Sequence, residues 1–339
     1  MNSKQRMQAL TDGKQPDMVP IFPKISFATI KSVPGMNFHD YTTSPEHMAN
    51  AIISSARKYG YDAVGITTDI ANEGMALGSI YERPADRPSK MVRYLLDTID
   101  DYEKVVMADP MSKEPTKTII RATELVKKEI GDEIYITSWC NGPLNVASQL
   151  VPLEEVLIGM IDDPDTLHEL LERCLQFSMR YAKMLVEAGA DAVSFGHAMA
   201  SCTVISRDRY REFALPYETR LVQAIHEAGG KAITHICGNI EPIISDVDTN
   251  GSDIIDFDHL CDPVKILQSS TKIIRGNLDP ALFSNGTPEE LYEETARIMG
   301  LCKDSRRFIL GSGCEITENA SEENIRAFVQ AGRDHGKYE

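Results

Sequence analysis

The sequence lacks long apolar runs, an excess of positive charge and low-complexity stretches. No apolar segment of the 339-residue chain approaches the roughly 18 residues that cross a bilayer, and MNSKQRMQAL lacks the apolar core of a secretory signal. Lys and Arg total 35 against 51 Asp and Glu, and the net charge of −16 repels phosphate backbones and anionic lipids. We therefore expect a cytoplasmic protein that binds neither nucleic acid nor a membrane.

Cysteine is sparse, and its number is odd. The seven Cys are scattered along a chain with 42% apolar and 25% charged residues, which is long enough to build its own core. Disulfide frameworks belong to short secreted domains, so these thiols are expected to be reduced. Each Cys is then a small core residue, a metal ligand or a reactive group.

Short apolar segments rich in β-branched residues alternate with longer amphipathic segments along the whole chain. The predicted strands are 18–25, 62–69, 133–139, 191–197, 231–237, 252–259, 271–277 and 307–313. Eight strands alternating with helices predict an α/β fold, a (β/α)8 TIM barrel that forms a single domain over residues 1–339. An open, doubly wound sheet is the alternative, although no Gly-x-Gly-x-x-Gly or P-loop motif follows the first strand.

Helix signals occupy the gaps between these strands. Ser44–Pro45 and Asp163–Pro164 each start a helix with Pro at its first position, and the second of these helices runs to Gly189. Thr287-Pro-Glu-Glu290 is a capping box. Gly229–Gly230 ends a helix that begins near Ser206.

In a TIM barrel, residues just past the carboxyl end of each strand line the mouth of the active site. The predicted strand ends carry four of the seven Cys and three of the eight His: Cys140, His197, His235, Cys237, His259, Cys261 and Cys314. Thiolate and imidazole ligands favour Zn²⁺ over Mg²⁺ or Ca²⁺. A His-x-Cys pair with one further Cys leaves an open fourth position, which is typical of catalytic zinc sites.

Two His-x-Cys pairs are present, His235-Ile-Cys237 and His259-Leu-Cys261. Residues two apart at a strand end share a face, so either pair is able to hold one metal ion. A core His beside a buried Cys explains either pair without a metal. Spacing alone does not choose between them.

The segment HICGN at 235–239, followed by Cys314 in GSGCEI 77 positions after Cys237, resembles the His-x-Cys…Cys zinc signature of the methylcobalamin:coenzyme M methyltransferases. These enzymes are a branch of the uroporphyrinogen decarboxylase superfamily. Further superfamily blocks are similar to RMQALTDGKQPDMVPIF, YGYDAVGITTDI, NGPLNVAS, YAKMLVEAGADAVSF and IIRGNLDP, so the likeness spans nearly the whole chain. The resemblance implies a TIM barrel with Zn²⁺ on His235, Cys237 and Cys314.

The resemblance also implies the reaction. A methyl group would move from a methylcorrinoid such as methylcobalamin, carried by a small corrinoid protein, to a zinc-activated small-molecule thiol such as coenzyme M. A thiol that coordinates zinc loses its proton, and Asp69, Glu73 or Glu315 would accept that proton or fill the fourth metal position at rest. A hydrogen bond at the barrel rim explains each carboxylate equally well. The sequence leaves open which thiol is used and whether two copies form a homodimer.

Two other activities of the superfamily stay open. Asp69 lies where uroporphyrinogen decarboxylase keeps its key carboxylate, although that enzyme needs no metal. The Arg-rich stretch of that enzyme corresponds here to residues 23–35, which contain no Arg, and its Gly-His-Gly corresponds to Gly313-Cys314-Glu315. A corrinoid-dependent demethylase would instead transfer methyl from a small donor to Co(I).

Overall fold

The structure is a computed structural model that describes residues 1–68 and 71–338. Its strands are β1 Ala63–Ile66, β2 Ile80–Glu82, β3 Lys90–Arg93, β4 Tyr135–Asn141, β5 Ala192–Gly196, β6 Lys231–His235, β7 Ile254–Asp256, β8 Ile273–Leu278 and β9 Phe308–Ser312. Seven of these strands form one parallel sheet in the order β1-β4-β5-β6-β7-β8-β9. The remaining two, β2 and β3, form an antiparallel hairpin that the sequence pattern did not indicate.

Residues 18–25 join the two edges of the curled sheet. Ile21 forms a parallel bridge with Leu310 of β9, and its carbonyl accepts the N–H of Asp62, just before β1, at 2.7 Å. The prediction of a regular strand here is wrong, because the two prolines of this segment carry no N–H and cannot continue a hydrogen-bonded ladder. This segment takes the place of the eighth strand and closes the barrel, so the predicted TIM-barrel fold is confirmed.

The α-helices of the described residues cover the outside of the sheet. They are α1 Ser3–Thr11, α2 Phe38–Thr43, α3 Pro45–Tyr59, α4 Asn72–Leu77, α5 Thr116–Ile130, α6 Pro143–Leu150, α7 Leu153–Asp162, α8 Pro164–Glu187, α9 Arg207–Phe213, α10 Leu215–Glu227, α11 Ile244–Val247, α12 Pro263–Ser269, α13 Leu282–Asn285, α14 Pro288–Cys302 and α15 Glu322–His335. Short 3-10 turns lie at Ala28–Ser32, Ile99–Lys104, Pro110–Ser112, Ala198–Ala200 and Lys303–Ser305.

The helix signals are confirmed with one exception. The side chains of Ser44 and Asp163 cap α3 and α8, and Thr287 and Glu290 form the predicted capping box of α14. The single helix expected after Ser206 is instead two helices, α9 and α10, because a proline in the first turn of α10 cannot continue the hydrogen bonds of α9. In the described residues no single helix is long and apolar enough to cross a membrane. The helices α6 and α7 together reach the required length and apolar composition, but the chain bends by 117° between them.

The two ends of the barrel differ in polarity. Nearly all residues of the parallel strands are buried, because helices cover the outside and side chains fill the inside. At the amino end, α1 closes the barrel with an apolar cluster of Met7, Leu10, Phe22, Ala63, Tyr135, Ala192, Ile233, Ile254 and Ile309. Polar and metal-ligating side chains are therefore concentrated toward the carboxyl end.

Candidate metal centre

Three predicted ligands meet at the carboxyl ends of β6 and β9. His235 is the last residue of β6, Cys237 follows two residues later, and Cys314 lies two residues past β9. The distance from His235 Nε2 to Cys237 Sγ is 3.2 Å, and Cys314 Sγ lies 3.8 Å from both atoms. Among residues 1–68 and 71–338 this is the only group of three or more His, Cys, Asp or Glu with ligand atoms this close, all within 4.8 Å.

These distances fit one tetrahedral zinc ion. Bonds of about 2.3 Å to sulfur and about 2.0 Å to nitrogen place two sulfurs about 3.8 Å apart, and a nitrogen and a sulfur about 3.5 Å apart. The separation of the two sulfurs, 3.8 Å, equals the first value, and the two nitrogen–sulfur separations, 3.2 and 3.8 Å, lie on either side of the second. One imidazole and two thiols form a soft donor set that suits Zn²⁺, and three ligands leave its fourth position open.

The two thiols of this cluster shift each other's pKa. Hydrogen bonding between them raises the pKa of Cys237, which is raised further by burial, and lowers the pKa of Cys314. The His235 ring lowers the pKa of Cys314 further. A bound divalent cation would favour the thiolate form of both Cys, because metal binding to thiols releases protons.

Charged side chains lie behind the imidazole, inside the barrel. His235 directs Nε2 at the sulfurs, while Nδ1 lies 3.7 Å from Asp256 Oδ2 at the end of β7. That carboxylate forms an ion pair with Arg275 of β8 and lies 3.9 Å from the ammonium of Lys24. At 3.7 Å the carboxylate is beyond hydrogen-bond distance, and Nδ1 has no hydrogen-bond partner among the described residues, so Asp256 places a negative charge behind the ring without a hydrogen bond to it.

A cavity of about 100 Å³ adjoins the metal cluster at the carboxyl end of the barrel. Phe27, Trp139 and Gly196 form apolar parts of its wall, and Lys24 and Glu315 contribute charged groups. The ring centres of Trp139 and His235 are 5.9 Å apart. The cluster is therefore accessible to a small molecule from a mostly apolar space.

The three predicted carboxylates differ in position. Glu315 lines the cavity, its Oε1 accepts the N–H of Phe27 at 3.0 Å, and burial raises its pKa to about 7. Glu73 is fully buried, and its carboxylate accepts the backbone N–H of Asn141 at 2.7 Å and the side-chain amide of the same residue. Glu73 thus anchors the end of β4. Asp69 lies outside the described residues.

The second His-x-Cys pair is arranged differently. His259 Nδ1 lies 2.8 Å from Asp258 Oδ1, and the buried Cys261 sulfur accepts the N–H of Ile240 at 3.4 Å. Cys261 therefore packs under the loop that follows β6. His197 is also buried away from the cluster, with its Nδ1 2.6 Å from Glu218 Oε1.

Sequence reasoning missed three residues of this site, namely Lys24, Asp256 and Arg275. None belongs to a motif. Lys24 is nevertheless the one charged residue of an otherwise apolar predicted strand, 18–25, and buried charges are rare unless they are paired or functional. This is the signal that could have found Lys24. Asp256 and Arg275 share their predicted strands with other charged residues, so no comparable signal marks them.

The fold and the cluster together define an α/β-barrel enzyme with one imidazole and two thiols, at the carboxyl end of its strands, that could hold a metal ion. More particularly, the chain belongs to the uroporphyrinogen decarboxylase family, whose model matches residues 2–335. The family recognised from the sequence is thus confirmed.

Individual relatives agree with this assignment. The methylcobamide:CoM methyltransferase MtbA of Methanosarcina acetivorans is 26% identical over 334 residues, which cover 95% of each chain. A uroporphyrinogen decarboxylase of Chlorobaculum parvum is 26% identical over 299 residues, covering 85% of this chain and 84% of that one. The solved structure of a methyltransferase from Methanosarcina mazei superposes with a TM-score of 0.91 at 23% identity, covering 98% of this chain and 99% of that one. The expectations of an enzyme and of the methyltransferase branch are confirmed.

Proposed function

We propose that this protein is a zinc-dependent corrinoid methyltransferase that moves a methyl group from a methylcorrinoid to a thiol. The observation that carries the proposal is the cluster of His235, Cys237 and Cys314, whose open side adjoins a small cavity. The name of the Methanosarcina acetivorans relative supports a cobamide as donor and coenzyme M as acceptor. A small corrinoid protein is the proposed carrier of the donor, because a corrinoid is too large for the cavity.

The side chains around the cluster have different roles in the proposed reaction. His235, Cys237 and Cys314 would hold the zinc, which would supply a Lewis acid that lowers the pKa of a thiol at the open position. Glu315 receives the thiol proton, since its carboxyl group lines the same cavity and its pKa of about 7 suits exchange near neutral pH. Phe27 and Trp139 exclude water from the sulfur.

The reaction balances without an added oxidant or reductant. The thiolate sulfur forms an S–CH₃ bond with its own electron pair, and the Co–C bond breaks. The electrons of that bond remain on cobalt, which changes from Co(III) to Co(I), and one proton leaves the thiol. A cytoplasmic location is part of the proposal, because the two Cys ligands require a reducing compartment.

Uroporphyrinogen decarboxylase is the second candidate, because relatives such as the Chlorobaculum parvum enzyme carry that activity in their names. A decarboxylase activity would not explain the cluster of His235, Cys237 and Cys314. In addition, a cavity of about 100 Å³ is small for a tetrapyrrole. The methyltransferase therefore explains more of the site.

The test uses zinc-loaded protein, methylcobalamin and coenzyme M near neutral pH. We expect appearance of Co(I) absorbance with formation of the methyl thioether. X-ray absorption should show one additional sulfur about 2.3 Å from zinc on thiol addition, with release of about one proton per site. No sulfur ligand and no methyl transfer with a series of small thiols would contradict the proposal. Methylation of Co(I) from a small donor would then favour a demethylase, and decarboxylation by metal-free protein would favour the second candidate.

A further inference from the structure

A groove at the amino end of the barrel, opposite the metal centre, contains a cavity of about 500 Å³. Its wall comes from the end of α1 with the loop that follows it, and from the segments that lead into β7, β8 and β9. Four cationic side chains line this cavity, Lys14, Lys272, Arg306 and Arg307, together with one carboxylate, Asp253. Small-molecule sites in proteins typically have volumes of about 300–1,000 Å³, so the size of the cavity suits a bound molecule.

The carboxylate of the wall already has other partners. Asp253 lies 2.8 Å from His226 Nε2, accepts the ammonium of Lys231 at 3.1 Å and accepts the backbone N–H of Ala232 at 2.8 Å. Among the residues that the structure describes, none of the four cations that line the cavity forms an ion pair with a carboxylate. The wall therefore has an excess of positive charge, on a chain whose net charge is −16.

Neutral groups hold both arginines of the wall in place. Arg306 Nη1 donates to Gln15 Oε1 at 2.9 Å. Arg307 Nη1 donates to the carbonyl of Lys272 at 2.8 Å, and its Nη2 donates to the carbonyl of Leu267. A guanidinium has five N–H donors, so each arginine keeps N–H groups that an anion can accept without much further ordering of the side chain.

The backbone of Arg306 is a second, independent observation. Its φ is 56°, and it is the only residue other than glycine with a positive φ in the described part of the chain. A β-carbon makes this left-handed conformation unfavourable, and glycine or asparagine usually occupies it. Uncommon backbone conformations are concentrated at ligand sites, so an arginine at a position that suits glycine indicates that its side chain has a function.

We propose that this cavity binds a small molecule that carries two or more phosphate groups. Each phosphate group brings up to two negative charges and three acceptor oxygens, so two such groups match cations that come from three separate segments. An extended polyanion such as a nucleic acid or an anionic bilayer would also meet the acidic remainder of the surface and be repelled. A small molecule senses mainly the charges within a screening length of about 8 Å. The site is separate from the proposed methyl transfer, because it lies at the other end of the strands.

The first experiment is equilibrium dialysis of the purified 339-residue chain against radiolabelled pyrophosphate, without Mg²⁺ and at constant ionic strength. We expect saturable binding of about one pyrophosphate per chain, with an affinity that falls as the salt concentration rises. Methylphosphonate carries one phosphonate group and malonate carries two carboxylates, so each should compete at least about tenfold more weakly. No saturable binding of pyrophosphate, or equally tight competition by malonate, would overturn the inference.

Variants of the wall test which side chains bind the anion. Arg306→Gly and Lys272→Gln should each weaken pyrophosphate binding about 5- to 10-fold, the effect of losing one hydrogen bond to a charged group. Arg306→Gly should fold, because glycine adopts a φ of 56° without strain. Lys128→Gln is the matched control, since it makes the same change of charge at an exposed position outside the cavity and should bind as the wild type does. Unchanged binding in both wall variants, or an equal loss in Lys128→Gln, would overturn the inference.

Two further comparisons separate this cavity from the metal centre and from a polymer-binding surface. Cys314→Ala and Lys24→Met change groups at the metal-centre cavity, so both variants should bind pyrophosphate as the wild type does. Loss of binding in either variant would place the anion at the carboxyl end of the barrel and reject the proposed site. Phosphatidylserine-containing vesicles and a single-stranded DNA oligonucleotide should not displace pyrophosphate. Displacement by either one at equal phosphate concentration would reject a small molecule as the ligand.

Discussion

Gly196 makes room for the indole of Trp139. A β-carbon on Gly196 would lie 2.1 Å from Cζ2 and 2.7 Å from Cη2 of that ring, which is closer than any side chain tolerates. Gly196 ends β5, and Trp139 lies on the neighbouring β4. Because Gly196 has no side chain, the Trp139 indole occupies this position and forms the wall of the cavity next to His235.

The first prediction tests this relationship. Gly196→Ala should displace the indole into the cavity, lowering kcat/KM for the thiol by about tenfold or more while zinc stays bound, because the ligands lie on other strands. Fluorescence of the single Trp should shift in the same variant. Gly300→Ala is the control, since a β-carbon there meets nothing within 4 Å. Unchanged fluorescence and activity in Gly196→Ala would show that the wall does not depend on this glycine.

The second prediction concerns the two His-x-Cys pairs. Cys237→Ala and Cys314→Ala should each lose stoichiometric zinc, because two ligands do not hold the ion at this site. Cys261→Ala should retain near-stoichiometric zinc, since that sulfur packs against the N–H of Ile240 instead. The metal content of the purified variants shows which His-x-Cys pair binds zinc. Zinc lost in Cys261→Ala and kept in Cys314→Ala would move the centre to the second pair.

The third prediction concerns the carboxylate behind His235. Asp256→Asn should weaken zinc binding about 10- to 100-fold, measured by chelator competition, because the imidazole loses the negative charge that lies 3.7 Å behind it and favours a bound cation. Asp253→Asn is the matched control, because that carboxylate also faces a His, 2.8 Å from His226, but precedes β7 at the opposite end of the barrel. Equal zinc affinities in the two variants would remove Asp256 from this role.

The fourth prediction tests whether the chain is one domain. The buried Asp62 carboxylate binds Arg6 of α1 at 2.6 Å, Arg333 of α15 at 2.9 Å and the N–H of Ile21 at 2.8 Å, so it joins both ends of the chain to the barrel. Asp62→Ala should cost about 3–5 kcal/mol of unfolding free energy, because Arg6 and Arg333 lose the buried carboxylate that they share.

The exposed Glu322 provides the comparison for this change. Glu322→Ala should cost less than about 1 kcal/mol, because its pairs with Lys58 and Arg326 lie at the surface. Denaturant unfolding of both variants should stay a single cooperative transition, and limited proteolysis should release no independently folding half. Two separate transitions would argue for two domains.

The sequence by itself determined the alternation of strands and helices, because buried parallel strands and capped helices follow from local patterns of apolar and capping residues. The two prolines in residues 18–25 keep this segment from forming a regular strand, and the sequence analysis did not predict that interruption. The resemblance indicated that His235, Cys237 and Cys314 act together, and the structure brings these three side chains together. Spacing alone did not choose between the two His-x-Cys pairs.

Only the tertiary structure decided which other charges belong to the site. Three segments of the barrel supply these charges, namely residues 18–25 with Lys24, β7 with Asp256 and β8 with Arg275. Their contacts arise when the sheet curls and brings distant segments of the chain together. The same curling separates Glu315, which lines the cavity, from Glu73, which anchors Asn141. The sequence does not show these contacts directly, because they depend on which strands become neighbours and in which register, as when Asp256 on β7 pairs with Arg275 on β8.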